Sequence, residues 1–146
     1  MRLIVQRVAR AQVTIAGDII GAIGRGICVL LGVHSTDTPA RADYLAGKCL
    51  DLRIFPPVSA APGELSVRDI GGGILVISQF TLYGDTKRGR RPSFTEAAAP
   101  ALAEELYERF LARIRASGLP WGAGSFGAMM QVEIINDGPF TLLLER

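Results

Sequence analysis

Arg2-Leu3-Ile4-Val5-Gln6-Arg7-Val8-Ala9-Arg10-Ala11-Gln12-Val13-Thr14-Ile15 is the stretch on which the reading of the fold turns. It is rich in Val and Ile and alternates in part, with Leu3, Val5 and Arg7 on one face and Ile4, Gln6 and Val8 on the other. That pattern predicts one long strand, bent or bulged near Ala9–Ala11, where the alternation lapses. Ala16-Gly17-Asp18 is turn chemistry, and Ile19–Ile23 returns as a second strand. Gly24-Arg25-Gly26 turns again into Ile27–Val33, a run apolar on both faces that suits a central strand.

Outward from this β-rich opening, helices and strands mix. Thr38-Pro39 reads as an N-cap followed by Pro at the first helical position. The helix should run to about Leu52 and bury Tyr44, Leu45, the stem of Lys48, Cys49 and Leu52. Arg53–Phe55 reads as a short strand, the proline-rich Pro56–Gly63 as a loop and Leu65–Ile70 as another short strand. Gly71-Gly72-Gly73 is a tight turn that leads into Ile74–Leu82, a buried strand. Tyr83–Ser93 is polar, basic and Gly-containing, so an exposed loop is expected. A second helix should begin at Glu96 or Pro100 and end near Ala116, since Leu102, Leu106, Phe110 and Ile114 recur every fourth residue. Gly118 suits the C′ position and Pro120 bars continuation. Met129–Ile135 and Phe140–Leu144 read as two strands around Asn136-Asp137-Gly138-Pro139. The order favours a single α+β-like α/β domain of three layers over residues 1–146.

Composition narrows the function classes. A chain of 146 residues and 15.6 kDa suits one domain able to bury a core without staples. With 49% apolar and 21% charged residues, intrinsic disorder is not expected. Apolar runs such as Ile27–Val33 fall far short of the roughly 18 residues that span a bilayer. Arg2, Arg7 and Arg10 interrupt any signal-peptide core, so a cytoplasmic protein is expected. Cys28 and Cys49 share no metal-like spacing and read as small buried hydrophobes. His34 is the only histidine, which leaves no basis for a metal site and little for a His-dependent triad. The net charge is +2, but Lys87, Arg88, Arg90 and Arg91 alone supply +4, which leaves −2 on the rest. One loop therefore carries the concentrated positive field, and a phosphate-bearing partner fits there better than general polyanion binding.

Three segments could carry chemistry. Ser78-Gln79-Phe80-Thr81-Leu82 lies where a buried strand meets the basic loop. There it is either an ordinary polar strand end or a pocket mouth with side-chain donors and backbone N–H groups for an oxyanion. Asn136-Asp137-Gly138-Pro139-Phe140-Thr141 is either a plain β-hairpin or a stiff tip that aims backbone carbonyls outward. Lys87–Arg91, followed by Pro92-Ser93-Phe94, is either a solvated loop or a phosphate site with an aromatic beside it. Gly71–Gly73 lacks the spacing of a dinucleotide or phosphate loop. Paired carboxylates are absent from apolar-flanked strand ends, so glycosidase-type chemistry has no support.

Together these segments resemble the D-aminoacyl-tRNA deacylase family, also called D-tyrosyl-tRNA deacylases. The likeness runs from Met1-Arg-Leu-Ile-Val-Gln-Arg-Val8 through Gly21–Gly24, Leu30–Val33, Leu52–Phe55, Ser78–Leu82 and Arg90–Ala98 to Phe126–Val132 and Asn136–Thr141. It departs at Phe140, where the family commonly has Val, and in the Pro- and Ala-rich Pro56–Gly63.

The resemblance implies a curled mixed or antiparallel sheet with two main helices, and a homodimer with its active site at the subunit interface. The implied activity is hydrolysis of the ester that joins a D-amino acid, or glycine, to the terminal ribose of tRNA. Ser78, Gln79, Phe80 and Thr81 correspond to the catalytic motif. Gly138-Pro139, cis in the family, would reach into the partner's pocket and exclude L side chains, flanked by Asn136 and Thr141 of the same motif. Ala98 corresponds to the position whose backbone holds the substrate amino group, and Lys87, Arg88, Arg90 and Arg91 would meet tRNA phosphates. The family lets the terminal 2′-hydroxyl of tRNA assist the water, which suits a chain with no evident general base; the alternative makes Thr81 a nucleophile. No metal, organic cofactor, DNA or membrane partner is implied. Two other readings are a non-catalytic RNA-binding module, resting on the basic loop, and a related deacylase for mischarged L-alanyl-tRNA.

Overall fold

The computed structural model describes residues 1–57, 64–87 and 89–146. Strand β1 (Arg2–Ile15) and β2 (Asp18–Ile23) form a hairpin. Both residues of its turn take positive φ, Ala16 at 52° and Gly17 at 95°. That backbone matches the twist of the flanking strands, and Gly17 adopts it without steric cost. Strand β3 (Gly26–Gly32) pairs antiparallel with the first half of β1, and β4 (Gly73–Ser78) pairs parallel with β3. Helix α1 (Pro39–Asp51) makes the crossover, with Thr38 at its N-cap and Pro39 in its first turn. Helix α2 (Pro100–Arg115) leads to a short β5 (Trp121–Ala123) parallel to β4, and β6 (Gln131–Glu145) runs antiparallel along nearly all of β1.

The sheet order is β2-β1-β3-β4-β5, with β6 on the other edge of β1. The sheet curls until β2 nears β5. A Cβ on Gly21 would stand 2.9 Å from the Ala123 carbonyl oxygen, and one on Gly122 would stand 3.1 Å from the Ala22 nitrogen. Two cores result. One face of the sheet, through Leu3, Val5, Ile27, Val29, Leu31, Ile74 and Val76, packs on α1 and α2. The other, inside the curl, gathers Val8, Ala11, Val13, Ile23, Cys28, Leu75 and Ile77. Helices, sheet and returning sheet are the three layers.

Strand β1 serves both cores because its register slips between Gln6 and Val8 and again between Val8 and Arg10. Val8 and Ala11, three apart, therefore lie in the same cluster. The irregularity expected near Ala9–Ala11 thus exists at Ala9, and a second lies at Arg7. Burial holds the Cys28 and Cys49 thiols up to about 12, so both stay protonated at neutral pH.

Several local expectations are corrected. Phe55 and Leu65 meet in a single isolated bridge, so Arg53–Phe55 and Leu65–Ile70 are not strands; residues 67–71 form turns instead. Most of the Pro56–Gly63 loop lies outside the described residues. On α1, Tyr44 is exposed and stacks with Arg146, and Lys48 is exposed too, while Ala42, Ala46 and Leu50 complete the buried stripe. The strand expected over Ile74–Leu82 stops at Ser78, and Phe80–Tyr83 is a 3₁₀ turn. Tyr83, placed by its polar context in an exposed loop, is buried.

The two strands expected over Met129–Ile135 and Phe140–Leu144 are one, Gln131–Glu145, whose two halves continue in the same direction along β1; of the two readings of Asn136–Thr141, the plain hairpin is ruled out. From Val8 to Gln6 the β1 side advances two residues, while β6 runs from Asn136 to Thr141. The surplus residues bulge out as a tip. Among the described residues, no helix is long and apolar enough to cross a membrane.

Candidate active site

A cavity of about 670 Å³ opens beside the C-terminal ends of β3 and β4. Ser78, Gln79 and Phe80 form one wall, Ala97 and Ala98 another, and Phe126 to Met130 the rim, with Leu31, Val33 and Tyr107 among the deeper residues. The placement follows from the chain. Strand β4 is buried up to Ile77, and the Gln79 N–H continues its pairing with β3 by donating to the Leu31 carbonyl at 2.7 Å. The backbone then turns, and Phe80 is left exposed at the mouth, edge-to-face with Phe94 at 5.1 Å. Deep in the cavity the Tyr107 hydroxyl donates to the Val76 carbonyl at 3.0 Å, and burial holds it well above the usual phenol range, so it remains a neutral donor.

Ala98 is positioned by a short antiparallel contact. Its N–H donates to the Val33 carbonyl at 2.9 Å, and Ser35 N–H donates to the Glu96 carbonyl at 3.0 Å. With its N–H committed, Ala98 has its carbonyl left to offer. The Gln79 backbone N–H is likewise committed to Leu31; Phe80, first in the 3₁₀ turn, has no intrahelical acceptor for its own N–H. Thr81 does not line the cavity, and its hydroxyl accepts a hydrogen bond from the Gln79 side-chain amide.

None of Asn136, Gly138, Pro139 and Thr141 lines this cavity. Their tip stands elsewhere on the chain, with Gly138 and Pro139 exposed and the peptide between them cis. Two residues that sequence reasoning left unassigned hold it. Gln6 donates to Asn136 Oδ1 at 3.2 Å and to Thr141 Oγ1 at 3.3 Å, which closes the base of the bulge. Arg7, only 8% exposed, donates from Nε to the Asp137 carbonyl at 3.0 Å and from Nη2 to the Gly138 carbonyl at 2.9 Å. It also donates to the Ile54 carbonyl, pairs with the Asp137 carboxylate at 3.0 Å and lies over the Phe140 ring at 4.6 Å. The available signal was a charged side chain on the inward face of an apolar strand, which has to find acceptors there.

The basic loop stands next to the mouth. Asp85 and Ser93 pair across its base at 2.8 and 2.9 Å, and the Asp85 carboxylate accepts the Lys87 N–H at 2.9 Å. Lys87, Arg90 and Arg91 are exposed, and Arg88 lies outside the described residues. The cavity thus combines an apolar body with a few fixed polar groups and a cationic approach, features of a binding site for a ligand that carries phosphates.

The comparisons agree with that class. The model of the D-Tyr-tRNA(Tyr) deacylase family matches residues 4–145. Proteins named D-aminoacyl-tRNA deacylase from Acaryochloris marina and Picosynechococcus are 56% and 54% identical over 146 residues, covering all of this chain and 96% and 97% of theirs. A solved structure titled c-Myc DNA Unwinding Element Binding Protein superposes with a TM-score of 0.91 at 44% identity, covering 100% of this chain and 99% of that one. A probable eukaryotic D-amino acid tRNA deacylase shares the fold, with a TM-score of 0.84 at 19% identity over 98% of this chain and 97% of its own. The chain belongs to the D-aminoacyl-tRNA deacylases, hydrolases that act on aminoacyl-tRNA.

Proposed function

We propose that this chain acts as a single domain over residues 1–146 and works as a homodimer that clears D-amino acids, and glycine, from tRNA by ester hydrolysis. In this reading the cavity of one subunit receives the terminal adenosine ester. The Gly138-Pro139 tip of its partner excludes L side chains by collision with main chain. The observation that carries it is the tip itself: a bulge fastened by Gln6 and Arg7, exposed, and outside the lining of the candidate cavity of its own chain. A selector that must accept many D-amino acids cannot read their side chains; it can only test where the side chain leaves the α-carbon, and fixed backbone atoms suit that task.

The edge of β6 supports pairing with a second copy. Among the described residues β6 pairs only with β1, and it exposes Ile135 and Leu143 at 42% and 57%.

The chemistry needs little from side chains. The free Phe80 N–H is placed to stabilise charge on the carbonyl oxygen as the tetrahedral intermediate forms. The Ala98 carbonyl accepts the substrate ammonium, Ser78 and Gln79 line the approach, and the terminal 2′-hydroxyl of tRNA assists the attacking water. Thr81 orients the Gln79 amide in place of attacking. Lys87, Arg88, Arg90 and Arg91 meet phosphates of the acceptor end. No metal, organic cofactor, DNA or membrane enters this scheme, and the setting is the cytoplasm.

Cross-linking tests it. A chain carrying Pro139→Cys mixed with one carrying Phe80→Cys should form a disulfide between subunits on mild oxidation, while the buried native thiols stay silent. A protein that sediments as a monomer, or a mixture without cross-link, contradicts the reading.

A further inference from the structure

We propose that Arg2 is a positioning residue for the deacylation: from the start of β1 its guanidinium fixes the turn that presents Gln79 and Phe80 to the cavity. Three contacts meet on this one side chain. Nη1 donates to the Leu82 carbonyl at 2.5 Å. The guanidinium lies over the Tyr83 ring, 4.8 Å from its centre. Nε pairs with the Glu145 carboxylate at the end of β6. Tyr83 is in turn held on the His34 ring, at 5.1 Å and 63°, and is 7% exposed.

The other end of the turn is tied to β3 through the Gln79 N–H and the Leu31 carbonyl at 2.7 Å. Between the two ties the turn rests on Gly32, where a Cβ would stand 3.0 Å from Leu82 Cβ and 3.1 Å from the Gln79 carbonyl oxygen. The cavity wall is therefore a short bridge with one foot on β3 and the other on Arg2. Without Arg2, the Leu82–Tyr83 foot keeps the turn's own bonds, Leu82 N–H to the Gln79 carbonyl at 3.2 Å and Gly84 N–H to the Thr81 carbonyl at 2.9 Å, and the Tyr83–His34 contact, but loses its tie to β1. Arg2 does not line the cavity, so it acts through the turn. The role needs an arginine: one planar group must bond a carbonyl, pair with a carboxylate and lie on a ring at once, which a lysine ammonium cannot do.

The competing reading is a surface ion pair of little consequence, since the Arg2 and Glu145 side chains are 34% and 50% exposed. Nature supplies the control on the same two strands. Arg10 pairs with Glu133 at 3.0 Å, 64% and 46% exposed, and neither residue lines the cavity.

The proposal rests on Gln79 and Phe80 being part of the active site, so Gln79→Ala is measured alongside. Steady-state hydrolysis of D-tyrosyl-tRNA is compared for the wild type, Arg2→Ala, Arg2→Lys, Arg10→Ala and Gln79→Ala. Arg2→Ala should lower kcat about tenfold or more with KM within about twofold, because misplacing a reacting wall weakens turnover more than binding. Arg2→Lys should recover part of the loss, Arg10→Ala should match the wild type, and amide exchange over residues 80–84 should quicken in Arg2→Ala alone. Should Arg2→Ala fail to fold, Arg2→Lys and Glu145→Gln carry the same comparison. A normal kcat in the folded Arg2 variants overturns the proposal, as does a loss confined to KM or one shared by Arg10→Ala. If Gln79→Ala is impaired while Arg2→Ala is not, only the role of Arg2 falls. If Gln79→Ala is also normal, the assignment of the wall falls with it.

Discussion

Arg7 is the side chain on which the hold on the Asp137–Gly138 tip is concentrated. Its buried guanidinium donates to three carbonyls, two of them in the tip, and leaves acceptors stranded if removed. Arg7→Met should cost about 3 kcal/mol in urea unfolding, the scale for losing one partner of a buried charged network. It should also raise hydrolysis of L-tyrosyl-tRNA relative to the D form as the tip loosens. Thr81 makes the opposite case. Its hydroxyl is occupied by the Gln79 amide and stands outside the cavity lining, so Thr81→Ala should stay within about tenfold of wild-type kcat. Complete loss in a folded protein would favour the covalent route.

The site was legible unevenly. The residues alone leave Ser78, Gln79 and Phe80 open between a plain strand end and a pocket mouth, and the cavity they line favours the second; their assignment, like that of Ala98, comes from the resemblance. The roles of Arg7 and Gln6 at the tip could not be read, because their acceptors there lie more than a hundred residues away.

Among the elements, the strongest constraint is where the curled sheet nears closure. A side chain on Gly21 would press on backbone atoms of Ala123, which cannot rotate away. Gly21→Val should destabilise by about 1–3 kcal/mol, measurable as a lower urea midpoint at unchanged slope. Elements with strong periodicity were readable. The alternation of β1, the two-sided apolar run of β3 and the fourfold spacing of α2 each have only one comfortable packing. The three residues of β5 carry no period, and Gly122 hides their strand character. Sequence alone leaves a hairpin and a protruding tip both open in β6, because Asp-Gly-Pro is turn chemistry in either setting. Only pairing of both halves with the same strand tells the two apart.

At the scale of the whole molecule, charge and symmetry govern. With the positive field gathered on one loop, KM for aminoacyl-tRNA should rise with salt, by about 0.7 log units per log unit of salt for each phosphate met on a single strand. Arg90→Gln with Arg91→Gln should flatten that dependence by about one to two phosphates' worth and leave kcat nearly unchanged. Unchanged slope in the double variant would place the tRNA contact elsewhere.

The larger claim is that handedness is judged by a stiff piece of main chain lent by the second subunit. The most direct measurement is the paired initial rate of amino-acid release from D-tyrosyl-tRNA and L-tyrosyl-tRNA by the purified protein. The account predicts release from the D form at least about a hundredfold faster. Equal rates on the two would contradict it.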